Sequence, residues 1–368
     1  MNIGIDAREL AGHATGVGRY VSNLCRLWSS ARYASEHNIV LYTHKPIAKT
    51  IANPQSIGAN ISYTTLPGRG DAWWEQTRLA MAINRGPIDV FFGPAYSLPI
   101  GTTVPSVVTL HDLSFFRRPD WFRFREGLRR RTLTQQAVRV ANKIIAVSEF
   151  SKQELVELLA VPQSRIQVIY NGITPFNLRT LDSPSDRHLI LYVGSIFNRR
   201  HIPALISAFS QVRQVIHNSE LVIVGSNRTY PRQDLDLLAR HEGVQDCVTF
   251  LDYAAEASLS NLYRRASVFV FLSEYEGFGM TPLEAMTAGV PVIVGDTQVA
   301  HEIYRNAAYY VDVKHPVKIA QSIVKLLREP AVRKELLSNA KSSLSRFTWT
   351  TTARQTLATI ESVAGQQV

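Results

Sequence analysis

The stretch Phe271–Asp296, FLSEYEGFGMTPLEAMTAGVPVIVGD, decides the fold, because it runs from a strand end through a glycine loop into a helix start. Phe269–Leu272 closes an apolar run of strand character, and Gly277 and Gly279 allow close backbone approach. Thr281 followed by Pro282 reads as N-cap and first helical residue. A helix N-terminus behind such a loop presents free N–H groups and the positive end of a dipole, a setting for a phosphate or another anion. Glu276 and Glu284 bracket the turn. Thr281-x-x-Glu284 also spells a capping box, which would satisfy helix-end donors with no ligand. Glu276, beside Tyr275 and Gly277, is either solvated or aimed at a bound group.

Working outward, 368 residues exceed one ordinary core and predict two domains with a cleft between them. Hydrophobic residues at 45% and charged residues at 19% describe a soluble globular chain, and no apolar run approaches membrane-spanning length. The start MNIGIDAREL has an acidic residue by position six and no cationic segment before an apolar core, so it does not read as a secretory signal, and a cytoplasmic location is expected. Cys25 and Cys247 fall in different expected domains, which argues against a disulfide framework or a cysteine metal site. A formal charge of +10 favours anionic partners. No zinc-finger, RNA-recognition or basic-zipper pattern is present, so nucleic acid is not expected as a partner.

Strands are expected at Asn2–Asp6, Ile39–Thr43, Ile61–Leu66, Ile88–Gly93, Val104–Leu110, Lys143–Val147 and Ile166–Ile169, separated by helical or loop segments. Such alternation gives a parallel sheet. After Asn2–Asp6, a loop with Gly12, Thr15, Gly16 and Gly18 leads to a helix with Val17, Val21, Leu24 and Trp28 on one face. That loop lies where open α/β sheets bind ligands. Position 21 is Val where a dinucleotide fingerprint needs a third glycine, so nicotinamide binding is disfavoured. Thr174–Arg187 has linker composition. Beyond it, strands are expected at His188–Val193, Leu221–Val224, Val248–Leu251, Val268–Leu272, Val290–Val294 and Tyr309–Val313, followed by helices. The domains are therefore expected at 1–178, with a last helix at 350–368, and at 187–349.

Gly194-Ser195 follows a buried-type strand, and Arg199-Arg200 stand just before the next helix. Guanidinium groups donate fixed forks to phosphate oxygens, so the pair suits a diphosphate leaving group; two solvated loop arginines are the plainer alternative. His111-Asp112 ends the apolar run VPSVVTL, where an imidazole could meet a substrate hydroxyl or serve structure alone. Asp234-Leu235-Asp236 spells an acid-x-acid pattern, but residues two apart on the expected helix QDLDLLARHEG share no face, so it is rejected as a metal site. Ser151-x-x-Glu154 reads as a capping box with no further role. Phe115–Arg131 mixes seven arginines with aromatic residues and reads either as a peripheral contact with an anionic membrane or as a solvated helical face.

Taken together, GIDAREL with TGVGRY, TLHD, IIAVSEFSKQEL, VIYNGI, YVGS with Arg199-Arg200, VTFL, the Glu276-x7-Glu284 block and FTWTTTARQTL resemble, in order, the landmarks of retaining glycosyltransferases of family four. The resemblance covers nearly the whole chain. It implies an α/β GT-B fold, two Rossmann-like domains with parallel sheets facing a central cleft, with the acceptor mainly on the N-terminal domain, the nucleotide sugar mainly on the C-terminal one, and a last helix that crosses back. It assigns Arg199 and Arg200 to the diphosphate, Glu284 to the ribose hydroxyls, and Glu276 with the backbone of Gly277, Phe278, Gly279, Met280 and Thr281 to the donor sugar and distal phosphate. Gly194 belongs to the same donor site. Gly16 and Gly18 would close over the diphosphate, and His111 would contact the transferred sugar. No metal and no cofactor are implied, cationic side chains and helix dipoles taking the place of a divalent ion. Arg200 stands where members commonly have Lys, and TQVAHEIYRN lacks the usual proline, so Glu302 receives no role.

The activity this implies is transfer of a hexose from a nucleotide diphosphate sugar, GDP-mannose first, to a saccharide or lipid-linked saccharide acceptor. A UDP-hexose donor, a sugar-nucleotide epimerase and a non-catalytic sugar-nucleotide binder remain as alternatives.

Overall fold

A computed structural model of the chain describes residues 1–11, 16–29, 36–47, 60–175 and 188–364. Gly12, Thr15, residues 176–187 of the expected linker and the last four residues of the expected C-terminal helix lie outside the described residues. The chain forms two compact units, one of Met1–Pro119, Phe124–Gly172 and Thr348–Val368, the other of Asp120–Arg123 and Ile173–Phe347.

The first unit holds β1 (Asn2–Asp6), β2 (Asn38–Thr43), β3 (Ile61–Thr65), β4 (Val90–Gly93), β5 (Ser106–Leu110), β6 (Lys143–Ala146) and β7 (Ile166–Val168). They form one parallel sheet in the order β3-β2-β1-β4-β5-β6-β7. The central strands are apolar runs because a parallel sheet is covered on both faces. The helix Gly16–Trp28 buries Tyr20, Val21, Leu24, Cys25 and Trp28 against the sheet. The helix Trp349–Ala364 adds Ala353, Leu357, Ile360 and Val363 to the same core, where Trp28 Nε1 donates to the Ala353 carbonyl at 3.0 Å. Each fully buried side chain of this size stabilises the unit by about 1.5–3 kcal/mol relative to exposure.

The second unit holds β8 (His188–Val193), β9 (Ser219–Val224), β10 (Val248–Leu251), β11 (Ala266–Phe271), β12 (Val292–Gly295) and β13 (Ala308–Val311), parallel in the order β10-β9-β8-β11-β12-β13. The helix Ile202–Val215 buries Leu205, Ile206, Phe209 and Val212, as its spacing predicts. In both sheets the strand order reverses beside the first strand, between β1 and β4 and between β8 and β11. Loops leaving the carboxyl ends of those pairs diverge to opposite faces and leave a crevice where such sheets bind ligands.

Local chemistry shifts several expected boundaries. Strands β5 and β12 begin directly after Pro105 and Pro291, earlier starts being disfavoured because proline has no N–H for the ladder. The expected Ser151 capping box does not form. Ser148 is the cap, its Oγ accepting from Ser151 N at 3.0 Å, and Glu154 instead takes the Arg117 guanidinium at 2.9 Å. Asp234 lies just before its helix rather than within it and caps it, accepting from Leu237 N at 2.9 Å.

Candidate active site

At the switch point of the second sheet, β8 ends in Gly194, and one 3-10 turn, Asn198–Arg200, carries both arginines. Neither is a solvated loop residue, Arg199 being 8% and Arg200 9% exposed. Arg199 lies over the Phe197 ring at 4.6 Å and Arg200 over the Phe271 ring at 4.2 Å, so aromatic faces replace part of the lost hydration. The loop after β11 supplies the counter-charge. Glu276 Oε1 accepts from Ser273 Oγ at 2.6 Å, pairs with Arg200 Nη2 at 3.0 Å and lies 3.8 Å from Arg199 Nε. Two guanidiniums thus share one carboxylate. Arg200 Nε and Nη1 are buried with no hydrogen-bond acceptor, an unfavourable state. Beneath them burial pushes the Tyr192 phenol up to about 12, so it stays neutral and donates to the Ser195 carbonyl at 3.2 Å.

The helix after Glu276 begins earlier than the sequence indicates. It spans Met280–Thr287, and its N-cap is Gly279, at φ +82°. No side chain fits at that cap, because a Cβ on Gly279 would lie 2.2 Å from Tyr304 Oη, which donates to the Gly279 carbonyl at 2.8 Å. Thr281 is therefore inside the first turn rather than at the cap, with its Oγ1 buried and unpartnered. The expected Thr281–Glu284 capping box is absent. Glu284 is 1% exposed and accepts from Tyr263 Oη at 3.3 Å. Phe278 packs edge-on against Phe347 at 5.3 Å, so its ring belongs to the core of this unit.

In the first unit, His111 follows β5 and its Nε2 meets the Pro94 carbonyl at 2.8 Å. That nitrogen must carry the proton, which leaves Nδ1 as an acceptor. Burial lowers the His111 pKa, against the Pro94 bond and Asp112, so the ring is neutral. Gly16 begins its helix exposed, and Gly18 is buried in the first turn. One buried cluster has no counterpart among the residues singled out from sequence: Arg8 Nη2 bonds Glu75 Oε2 at 2.7 Å and also pairs with Asp6, while Ser97 Oγ donates to Glu75 Oε2 at 2.9 Å. The segment GIDAREL hints at Asp6 and Arg8, but nothing in WWEQTRL marks Glu75.

The basic aromatic segment divides. Phe115 is a core residue at 1% exposure and Trp121 packs edge-on against Tyr275 at 6.3 Å, so the patch is not one continuous surface. Phe124 (76% exposed) and Leu128 (48%) remain outward on the helix Phe124–Val140. No described helix is long and apolar enough to cross a membrane. Among the described residues, Glu36, His37 and Glu361 form one group with metal-ligand atoms close together, and its 2.9 Å His37–Glu361 pair ties the start of β2 to the C-terminal helix.

A family model described as "Glycosyltransferase Family 4" matches residues 14–175, and one described as "Glycosyl transferases group 1" matches residues 174–343. Together they account for nearly the whole chain. The chain is 25% identical over 281 residues to O-antigen chain mannosyltransferase B of Escherichia coli, covering 73% of each chain. It is 32% identical over 231 residues to an uncharacterized glycosyltransferase of Methanocaldococcus jannaschii, covering 58% of each. The matched region thus spans little more than half of the latter relative's length. An Anabaena protein crystallised in complex with UDP-glucose superposes with a TM-score of 0.76 at 18% identity, covering 98% of this chain and 99% of that one. The shared fold is GT-B.

Proposed function

This chain belongs to the glycosyl transferases of group 1 and family 4, and on that premise we propose that it moves a hexose from a nucleotide diphosphate sugar to a hydroxyl of a saccharide or lipid-linked saccharide, with retention at the anomeric carbon. The observation that carries this reading is the buried guanidinium of Arg200, whose Nε and Nη1 lack an acceptor beside Arg199 and Glu276 at a sheet switch point. A diphosphate beside this pair meets two fixed positive charges, and the pair stabilises charge as the nucleoside diphosphate leaves. In this reading no divalent ion is needed.

Glu276 orients the donor sugar, helped by the N–H groups of the Gly277–Thr281 turn; in the first unit, His111 offers Nδ1 as an acceptor for a hydroxyl. Gly194, at a positive φ, lets the backbone approach the diphosphate. Glu284 takes the ribose hydroxyls; because it already accepts from Tyr263, the ribose must share or replace that bond. GDP-mannose is the first donor to test, by similarity to the Escherichia coli mannosyltransferase, and UDP-glucose the second, because the Anabaena neighbour holds it.

The test is release of nucleoside diphosphate from each donor, with and without a saccharide acceptor, in excess chelator. The reading expects acceptor-dependent release undiminished by chelation. Conversion of donor alone would indicate an epimerase, stabilisation without release a binder, and strict dependence on added divalent metal would overturn the metal-free mechanism. We also propose that the outer face of Phe124–Val140 touches anionic membrane through Phe124, Leu128, Arg125 and Arg129. Co-sedimentation with phosphatidylglycerol vesicles is expected to weaken in the Phe124→Ser, Leu128→Ser double variant, and equal sedimentation of both proteins would remove the membrane contact.

A further inference from the structure

Tyr304 has no part in the donor reading, and nothing in EIYRN singles it out in the sequence, yet its phenol is bonded to the turn that follows Glu276. It ends the helix Gln298–Tyr304, is 3% exposed, and donates from Oη to the Gly279 carbonyl at 2.8 Å, 25 positions back along the chain. Burial pushes this phenol well above its ordinary value, and the Glu276 carboxylate pushes it the same way, so it stays neutral and keeps its proton to donate. The helix that carries it is fixed at both ends. Thr297 caps the start, Oγ1 accepting from Ala300 N at 3.2 Å, and Arg346 Nη1 donates to the last carbonyls, Glu302 at 3.2 Å and Ile303 at 3.4 Å. Ser343 Oγ donates to the Tyr304 carbonyl at 3.4 Å.

Gly279 starts the helix Met280–Thr287 from a left-handed conformation, with no side chain to cap it. A Cβ there would lie 2.2 Å from Tyr304 Oη and 4.0 Å from Glu276 Cγ, so phenol, turn and carboxylate share one packed corner. The space between them is nearly filled. A cavity of about 10 Å3, on the order of one water sphere, is bordered by Ser273, Glu276, Thr297, Ala300 and Tyr304 among others.

The hydrogen bond sets a direction as well as a position. In a trans peptide the C=O of one residue and the N–H of the next point opposite ways, so a Gly279 carbonyl held toward Tyr304 turns the Met280 N–H away from it. As the first N–H of its helix, that group has no acceptor within the helix. A Phe at 304 would fill the same space without burying a hydroxyl, so packing alone gives no reason for the Tyr. We propose that Tyr304 is a positioning residue for the donor: by holding the Gly279 carbonyl it aims the Met280 N–H, and sets the turn behind Glu276, for the sugar of the nucleotide diphosphate sugar. This role rests on the donor reading above.

Tyr304→Phe keeps the ring and removes only the hydroxyl. Calorimetric titration of the full chain and this variant with GDP, UDP, GDP-mannose and UDP-glucose tests the proposal, beside turnover of whichever donor the wild type uses. The affinity of a nucleotide sugar relative to its own nucleoside diphosphate should fall by about three- to tenfold, the scale of one hydrogen bond, and turnover should fall with it. A packing role alone would move both kinds of ligand equally or neither, so an unchanged ratio overturns the proposal and leaves the donor reading standing. Gly279→Ala supplies an arm that needs no ligand. In wild type the new Cβ meets the Tyr304 hydroxyl, whereas with the hydroxyl gone the nearest atom is Cζ at 3.4 Å, an ordinary contact. The fall in melting temperature caused by Gly279→Ala should therefore be smaller, by about 2 °C or more, in the Tyr304→Phe background. Equal falls in both backgrounds would remove the hydroxyl from control of the cap and overturn the proposal. A wild type that binds none of the four ligands, with the melting difference present, would sink the donor reading and Tyr304's role toward the donor with it.

Discussion

Glu276→Ala is expected to lower sugar transfer by at least about 10²–10³-fold, the loss typical of removing one preorganised polar group aimed at the reacting centre. The expectation follows from where the carboxylate sits. Ser273, Arg200 and Arg199 surround one of its oxygens, so its position is fixed before any donor arrives. Removing it leaves both guanidiniums without their shared counter-charge, and these should then hold a nucleoside diphosphate as well as before or better. The signature is thus a collapse of turnover with nucleotide binding retained. Glu276→Gln keeps the shape and the Ser273 contact but loses the charge, and should be nearly as impaired. Steady-state kinetics beside calorimetric titration with GDP and UDP reads both quantities; wild-type turnover in the alanine variant would remove Glu276 from the chemistry.

Arg200→Ala should do the opposite, weakening nucleoside diphosphate binding by about 10- to 100-fold, the equivalent of about 1.5–3 kcal/mol for hydrogen bonds to a charged group. Its guanidinium, beside Arg199 and Glu276, is the charge that a diphosphate would meet. Arg200→Lys keeps the charge without the fork and should fall between the two. Because Arg200 is buried over Phe271, truncation also leaves a cavity, so a thermal melt without nucleotide must accompany the titration. An unchanged dissociation constant in a folded Arg200→Ala variant would remove the phosphate clamp.

Much of the architecture was legible in the amino-acid sequence because a parallel sheet covered on both faces needs strands of continuous apolar residues, and runs such as HLILYV and SVVTL have no other use. The arginines in the turn after β8 and the glutamate in the glycine loop after β11 could be singled out because the carboxyl ends of strands in such sheets are where ligands bind. Local caps were less legible. Thr281 has the composition of an N-cap, but Tyr304, 25 residues from Gly279, occupies the space above the turn and gives the cap to glycine. Ser151 lost its cap to Ser148 in the same way, as Glu154 was drawn to Arg117, 37 residues away.

The sequence by itself determined the two-sheet plan, its strand ends and the residue types gathered there, because periodicity and strand chemistry act over a few neighbouring positions. Only the tertiary structure decided which charges meet. Glu276 and Arg200 lie 76 positions apart and Arg8 and Glu75 lie 67 apart, and whether such groups are solvated or paired depends on burial created by the whole core. Burial also leaves particular atoms without a partner, Arg200 Nε and Nη1 in one unit and Glu75 Oε1 in the other, and such atoms arise only when the surrounding chain has taken the water away.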